Sequence, residues 1–171
     1  DFSDDEIIDQ VYESNLFQYP TEKSVRRRAR NCLKRIHLLN DNILIDIIAN
    51  GASDSAKQVC LYAMMNQYRV IYEFMVNVIG EKYRIKDFSF SKKDINVFFS
   101  RLQEQSDVVA SWSDSTIQKL KQVLLKMLVD TEYLDNTKSE RLNTVLIDFD
   151  LKNILIDKRD IAALSVFNCF E

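Results

Sequence analysis

The stretch VCLYAMMNQYRVIYEFMVNVI, residues 59–79, decides the fold of this chain. Sixteen of its twenty-one residues are apolar, which predicts a helix that is buried on nearly all sides. The segment is long enough for a membrane span, but it contains Arg69, Glu73 and three amide side chains. A single charge costs about 3 kcal/mol in hydrocarbon even on insertion scales. We therefore interpret the segment as the central helix of a soluble bundle.

The ends of this helix and the scarcity of turn residues support the same interpretation. Ser53 and Asp54 suit its first turn, and Gly80 suits the position just after its last turn. Two glycines and one proline in 171 residues are too few for a turn-rich β fold. The sequence predicts an all-α fold, a compact multi-helix bundle around a long buried central helix. We assign residues 1–50 to a small N-terminal helical portion and residues 51–171 to a C-terminal helical bundle, with one compact domain as the alternative.

Local capping signals predict where other helices begin and end. Ser3 and Ser91 each open a capping box, and Ser115 begins an S-x-x-Q pattern before an amphipathic helix. The Asn-Gly pair at 50–51 ends another helix. The helical spacing of the apolar residues around this pair argues against a β-hairpin there.

The helical spacing of apolar residues is less clear after residue 135. The apolar run VLIDF, residues 145–149, is compatible with a strand or with a buried turn. Two short helices, near residues 150–156 and 158–167, are predicted to close the chain.

Although the net charge of the chain is −3, one segment of it is strongly basic. Residues 1–20 contain six acids and no base, whereas residues 21–39 contain seven bases and one acid. On a helical wheel these bases lie opposite the apolar face, apart from Arg28 and Arg35 at its edge. Guanidinium groups match the geometry of phosphates and gain free energy from counterion release. The predicted nucleic-acid-binding residues are Lys23, Arg26, Arg27, Arg28, Arg30, Lys34 and Arg35.

A second interpretation of the basic helix is that it binds a protein and not a nucleic acid. The acidic first helix could neutralise part of the basic face, so a protein-interaction scaffold that meets an acidic partner is the alternative to nucleic-acid binding. No aromatic residue interleaves the arginines, which favours contact with the nucleic-acid backbone over stacking on bases. Lys119, Lys121 and Lys126 form a candidate second basic surface on a later helix.

Most catalytic constellations are excluded by the residue inventory. The single histidine, His37, excludes an HExxH metal site and is interpreted as a surface residue. Two glycines cannot form a P-loop or a dinucleotide-binding fingerprint. Cys32, Cys60 and Cys169 lack CxxC spacing, so we expect neither a zinc site nor a disulfide framework, and the chain fits a reducing cytoplasm. We expect no enzyme activity, no metal, no cofactor and no small-molecule substrate.

The stretch LIDFDLK, residues 146–152, is the one acidic cluster that suggests a nuclease. Asp148, Asp150 and Lys152 could imitate the carboxylates and the lysine that surround a divalent metal in nucleases. That chemistry requires strands and a further acid, for which the sequence offers little. The interpretation that we favour is an aspartate-rich helix start.

Four segments of the chain resemble blocks of a known family in the same order and at similar spacing. These blocks are ESNLFQYPTEKSVRRRARNCLKRI at 13–36, IANGASDSAKQV at 48–59, YRVIYEFMVNVIGEKY at 68–83 and WSDSTIQKLKQVLLKML at 112–128. They resemble the BrxA proteins, small components of BREX bacteriophage-exclusion systems. The resemblance covers roughly residues 13–134.

The resemblance implies an all-helical protein similar to the antitermination factor NusB, with a non-enzymatic role in bacterial phage defence. It further implies binding to double-stranded DNA and a bacterial cytoplasmic location. The implied partners are other BREX components, such as the methyltransferase. The tail after Asp135 matches little of the family, so no role follows for it. The basic positions that match the family are Arg26, Arg27, Arg28, Arg30, Lys34 and Arg35.

Overall fold

The computed structural model describes residues 2–170 and confirms the all-α prediction. Within that range the chain forms no β-sheet, and an isolated antiparallel bridge joins Ser89 to Arg141. The similarity to NusB stays a prediction. The helices are α1 (Asp4–Glu13), α2 (Glu22–Leu39), α3 (Asn42–Asn50), α4 (Ser53–Gln67), α5 (Arg69–Phe74), α6 (Glu81–Arg84), α7 (Lys92–Gln105), α8 (Asp107–Ala110), α9 (Asp114–Asp130), α10 (Phe149–Asp157) and α11 (Ile161–Leu164).

The central segment is not one continuous helix, so this part of the prediction is wrong. Helix α4 starts at Ser53, as predicted, but it ends at Gln67 because Tyr68 adopts an extended backbone (φ −128°, ψ 105°). The chain then continues through α5, a π-helical turn at Met75–Gly80, and α6. The sequence carries no local signal for the break, since neither glycine nor proline lies at Tyr68.

The predicted burial of this segment is confirmed. All of its apolar residues except Cys60 and Tyr68 are buried or half-buried. Phe74 is fully buried, and its ring packs edge-on against Phe98 with the centroids 5.2 Å apart. None of the helices in residues 2–170 has the length and apolarity that crossing a membrane requires. The segment is therefore the hub of the main hydrophobic core.

Gly80 does not end the helix, contrary to the prediction. It has α-helical dihedrals (φ −60°, ψ −40°), and the helical path continues to Arg84. A Cβ atom at this position would lie 2.2 Å from Oγ of Ser165. The glycine is therefore required for the close approach of the C-terminal helical turn, and not for a helix end.

Helices α2 and α3 contact the bundle directly, whereas α1 is attached to it through α2. Helices α2 and α3 pack against α4, and Leu39 and Leu44 join the main core. Helix α1 packs on α2, where Ile8 is buried apart from that core. The division between residues 1–50 and 51–171 stays a prediction.

Most of the predicted helix boundaries agree with the structure, but one start is wrong. The capping boxes at Ser3 and Ser91 are present, and α3 ends at Asn50. Helix α9 is capped by Ser113, which lies two residues before the predicted Ser115. The Oγ atom of Ser113 accepts the N–H of the third residue of the helix, which is the usual geometry of a serine cap.

Residues 145–149 form neither a strand nor a buried turn. Leu146 is 88% exposed, while Val145 and Ile147 pack against the core from half-buried positions. Helix α10 starts at Phe149, and α11 continues into a short 3-10 turn at Ser165–Phe167. The two short helices near the end of the chain are thus confirmed.

Candidate nucleic-acid interface

Helix α2 is held at both of its ends. Oγ1 of Thr21 accepts the N–H of Ser24 at 3.3 Å and caps the first turn. Asn40 ends the helix in a left-handed conformation (φ 45°), and Nζ of Lys158 donates to the carbonyl of Leu39. Helices α1 and α4 pack on its two flanks, which leaves one face of α2 open to solvent.

Four exposed cations form one stripe on this open face. Their positions follow the spacing i, i+4, i+7 and i+11, which places them within about 60° of one another over about 16 Å. The ion pairs that α2 forms with described residues involve Arg26 and His37, and none of these four cations. The basic stripe consists of Lys23, Arg27, Arg30 and Lys34.

Arg26 does not belong to the open face, which corrects its predicted place among the exposed bases. Its Nη1 donates to Oδ1 of Asp9 at 2.6 Å, and its Nε donates to Oε1 of Glu22 at 2.6 Å. Its guanidinium lies over the ring of Tyr12, 5.0 Å from the centroid. The hydrogen bond to Asp9, followed by that to Glu22, raises the pKa of Arg26. The acidic neighbours therefore neutralise this guanidinium.

Arg28 and Arg35 lie at the edge of α2, as predicted, and tyrosines orient them. Nη2 of Arg28 donates to the hydroxyl of Tyr19 at 2.6 Å, and its guanidinium lies 5.6 Å from the centroid of that ring. Nε of Arg35 donates to Oε1 of Gln67 at 2.8 Å, and its guanidinium lies 5.9 Å from the centroid of Tyr68. Because these partners are neutral, they do not compensate the positive charge of either guanidinium.

The tyrosines are the part of this surface that the sequence interpretation missed. Tyr12 and Tyr19 precede α2 in the chain, and Tyr68 lies at the break between α4 and α5. None of them interleaves the arginines in sequence, yet each lies under one of them in the fold. Tyr19 lies two residues before the cap at Thr21, so it is the tyrosine whose position in the chain could have indicated a contact with α2.

His37 is a surface residue near the end of α2, as predicted. Its Nε2 lies 2.9 Å from Oδ1 of Asp4, and its side chain is 60% exposed. Asp4 and Asp9 both belong to α1, so this acidic helix lines one flank of α2 along its length. Arg30 and Lys34 of the stripe line one groove together with Asp4 and Ile8, so the stripe adjoins the flank that α1 covers, although neither cation forms an ion pair with the described acids.

The three lysines of α9 do not share one surface. Lys119 and Lys126 are seven positions apart and lie on the same side, whereas Lys121 points about 140–160° away. Nζ of Lys121 lies 5.9 Å from the centroid of Phe99, and Nζ of Lys126 lies 3.1 Å from Oδ1 of Asp130. The predicted second basic surface is therefore weaker than the stripe on α2.

The acidic residues near the C-terminus occupy a helix start, which is the interpretation favoured by the sequence. Oδ1 of Asp148 accepts the N–H of Asp150 at 3.0 Å and that of Leu151 at 3.1 Å, and so caps α10. Its Oδ2 accepts a hydrogen bond from Oγ of Ser55 at 2.7 Å. The described residues contain no group of three or more His, Cys, Asp or Glu side chains that could hold a metal ion.

Comparisons with known proteins match the sequence of this chain to one family. A model of the BrxA family matches residues 1–159 of this chain. A BREX protein BrxA from Bacillus cereus (strain H3081.97) is 36% identical over 151 residues, which are 88% of this chain and 75% of that protein. A BREX protein BrxA from Escherichia coli O9:H4 (strain HS) is 25% identical over 139 residues, covering 81% of this chain and 65% of that protein.

A solved structure supports the fold. The crystal structure of an uncharacterized protein from Magnetospirillum magneticum superposes with a TM-score of 0.74 at 19% sequence identity. The superposition covers 99% of this chain and 84% of the other. At this identity the likeness concerns the arrangement of the helices.

Proposed function

Because this chain belongs to the BrxA family and is thus a component of a BREX phage-defence system, we propose that it is a non-enzymatic accessory protein that binds double-stranded DNA. The contacts are mainly between helix α2 and the phosphates. We place this activity in the bacterial cytoplasm, together with other BREX components such as the methyltransferase.

The basic stripe is the observation that carries this proposal. Its four cations lie on one exposed face, and acids of the described chain neutralise none of them. Lysine and arginine side chains so arranged replace condensed counterions on a nucleic-acid backbone, and the released ions contribute the free energy of binding. Phosphate contacts carry no base information, so we expect little preference among duplex sequences.

Arg28 and Arg35 extend the surface beyond the stripe. Each guanidinium lies over a tyrosine ring and donates to a neutral partner, which for Arg28 is the hydroxyl of the same tyrosine. Such contacts orient the planar donors before a ligand arrives, which lowers the entropy lost on binding. We therefore assign general attraction of the phosphates to the stripe and oriented phosphate contacts to these two arginines.

The test is fluorescence anisotropy with two unrelated 20-bp duplexes over a salt titration. We expect Arg27→Glu with Arg30→Glu to weaken binding to both duplexes by similar factors, at least about tenfold. The matched control is Lys92→Glu with Lys93→Glu, the same charge change at exposed lysines on α7. Equal loss in both variants would indicate a non-specific charge effect, and undiminished binding in the α2 variant would reject the stripe as the DNA surface.

A scaffold that contacts an acidic protein is the second candidate. The observation in its favour is that α2 already binds acidic side chains, through Arg26 to Asp9 and through His37 to Asp4. Under this alternative the stripe variant keeps its DNA affinity and loses its interaction with another BREX component. Measuring both interactions on the same purified variant separates the two candidates.

A further inference from the structure

Helix α1 is strongly acidic and is attached to the rest of the protein by few contacts. Its ten residues, Asp4–Glu13, include five acids and no base. Helix α2 is its main packing partner. All of α1 lies in the described part of the chain, and Ile8 is its one buried residue, outside the main core. Segments with few buried contacts open locally at low cost, so we expect α1 to detach more easily than the helices of the bundle.

Two polar contacts hold α1 antiparallel to α2. Nη1 of Arg26 donates to Oδ1 of Asp9 at 2.6 Å, and Nε2 of His37 lies 2.9 Å from Oδ1 of Asp4. The side chains of Asp9 and Asp4 are 56% and 54% exposed, and ion pairs at such positions contribute little to stability. The acidic helix therefore follows α2 for about 16 Å, from residue 26 to residue 37, through contacts that water reaches.

The path of α1 borders the basic stripe. At 100° per residue, Arg26 and His37 lie within about 40° of Arg30 around the axis of α2. Arg30 and Lys34 line a groove of about 310 Å³ together with Asp4. A phosphate that binds these two stripe cations would share the groove with a carboxylate of α1.

Docked α1 weakens the proposed DNA surface in two ways. Asp9 occupies the guanidinium of Arg26, which is therefore not available to a phosphate. Asp4 repels phosphates that approach Arg30 and Lys34, because like charges in one groove are only partly screened at physiological salt, where the Debye length is about 8 Å. Both effects end when α1 leaves α2.

We propose that α1 is an autoinhibitory helix that regulates DNA binding by α2. In the docked state, which the structure shows, the stripe binds DNA with reduced affinity. In the detached state the repulsion is removed and Arg26 joins the stripe. A partner that binds detached α1 would raise the affinity of α2 for DNA, because it shifts the equilibrium toward the uninhibited state. This regulation rests on the proposed function, DNA binding by α2.

The first test is Ile8→Asn, which disrupts the buried contact of α1 and leaves every charge in place. We expect the amides of residues 4–13 to exchange at least about tenfold faster in hydrogen-exchange mass spectrometry. We also expect a 20-bp duplex to bind at least about tenfold more tightly in fluorescence anisotropy. The matched control is Ile43→Asn, the same substitution at an isoleucine that is 53% exposed on α3, and it should change neither quantity.

The second test compares Arg26→Gln in two backgrounds. In Ile8→Asn it should make the slope of log affinity against log salt shallower by about 0.9, because the freed guanidinium contacts one phosphate. In the unmodified protein the same substitution should leave the slope unchanged, since Asp9 holds the guanidinium. A merely structural role of Ile8 would not make the effect of Arg26→Gln depend on the background.

The third test does not require α1 to detach. Asp4→Asn and Asp5→Asn remove the same charge from the same helical turn, but Asp4 lines the groove with the stripe and Asp5 does not. We expect Asp4→Asn to tighten DNA binding about two- to fivefold and Asp5→Asn to tighten it less than about twofold. Equal gains would show an effect of net charge and would contradict autoinhibition by the docked helix.

Two further outcomes would overturn the proposal. One is fast exchange of α1 in Ile8→Asn without a gain in DNA affinity over the unmodified protein. The other is unchanged exchange of α1 in that variant, which would mean that the helix does not detach. Failure of the proposed function has a different signature, in which neither the unmodified protein nor Ile8→Asn binds the duplex although α1 exchanges fast in the variant.

Discussion

The region around Phe74 and the basic stripe of α2 differ in what their side chains contact. Phe74 is fully buried against Phe98, whereas Arg27 is exposed and forms no ion pair with the described acids. Substitutions in the first region should change the free energy of unfolding, and substitutions in the second should change binding. The fold and the proposed function therefore depend on separate residues, so mutation can separate them.

Phe74→Ala should have the largest effect on stability. Removing a fully buried ring loses the transfer free energy and leaves a cavity, so the free energy of unfolding should fall by about 3–5 kcal/mol. Chemical denaturation measures this change. The same substitution at Phe149, which is 74% exposed, is the matched control and should change stability by less than about 0.5 kcal/mol. A loss below about 1 kcal/mol at Phe74 would show that the core is organised around other residues.

Gly80→Ala should have the next largest effect. The added methyl group would lie 2.2 Å from Oγ of Ser165, and such overpacking costs about 1–3 kcal/mol. Removing that oxygen should relieve part of the strain, so the penalty of Gly80→Ala should be smaller in a Ser165→Ala background. A double-mutant cycle by denaturation measures the coupling. Strictly additive effects would mean that the two residues do not oppose each other.

Arg27→Gln and Arg26→Gln should separate free charge from neutralised charge on the same helix. Arg27→Gln should make the slope of log affinity against log salt shallower by about 0.9, because one phosphate contact is lost. Arg26→Gln should leave the slope unchanged and lower the melting temperature, since Arg26 binds Asp9 and Glu22. Two to four phosphate contacts by the stripe predict a slope of about −2 to −4, and contacts by Arg28 and Arg35 would bring the total for α2 to about −5. A steeper slope in the unmodified protein would require a second surface or a dimer.

Asp150→Asn should have the smallest effect of these substitutions. Asp150 lies in the first turn of α10, and its N–H is the group that Asp148 caps. We expect unchanged DNA affinity and no magnesium-dependent cleavage by either form of the protein. Cleavage by the unmodified protein that disappears in Asp150→Asn would restore the nuclease interpretation.

Local signals in the sequence predicted much of the fold. Ser3 and Ser91 marked helix starts because a capping side chain binds a backbone N–H only two or three residues away. Periodic apolar residues likewise predicted α2 and its basic face, because residues three or four positions apart lie on the same side of a helix. The start of α9 was misplaced because several hydroxyl residues precede it, and Ser113 forms the cap.

The candidate site was predicted in outline and not in detail. The sequence indicated seven bases on α2, but it did not show that Arg26 is paired with Asp9, seventeen positions earlier in the chain. It also did not show that Tyr68 lies under Arg35. Contacts of this kind depend on how α1 and α4 pack on α2, which periodicity within α2 does not specify.

By itself the sequence determined the all-α class, the burial of residues 59–79 and the charge of α2, because composition, spacing and capping act within a few residues. The tertiary structure alone decided the break at Tyr68, the need for glycine opposite Ser165, and which cations of α2 form no ion pair with residues 2–170. Each of these depends on residues far apart in the chain. A segment that is apolar on all sides fits more than one helical path, and only its packed neighbours select the path that it follows.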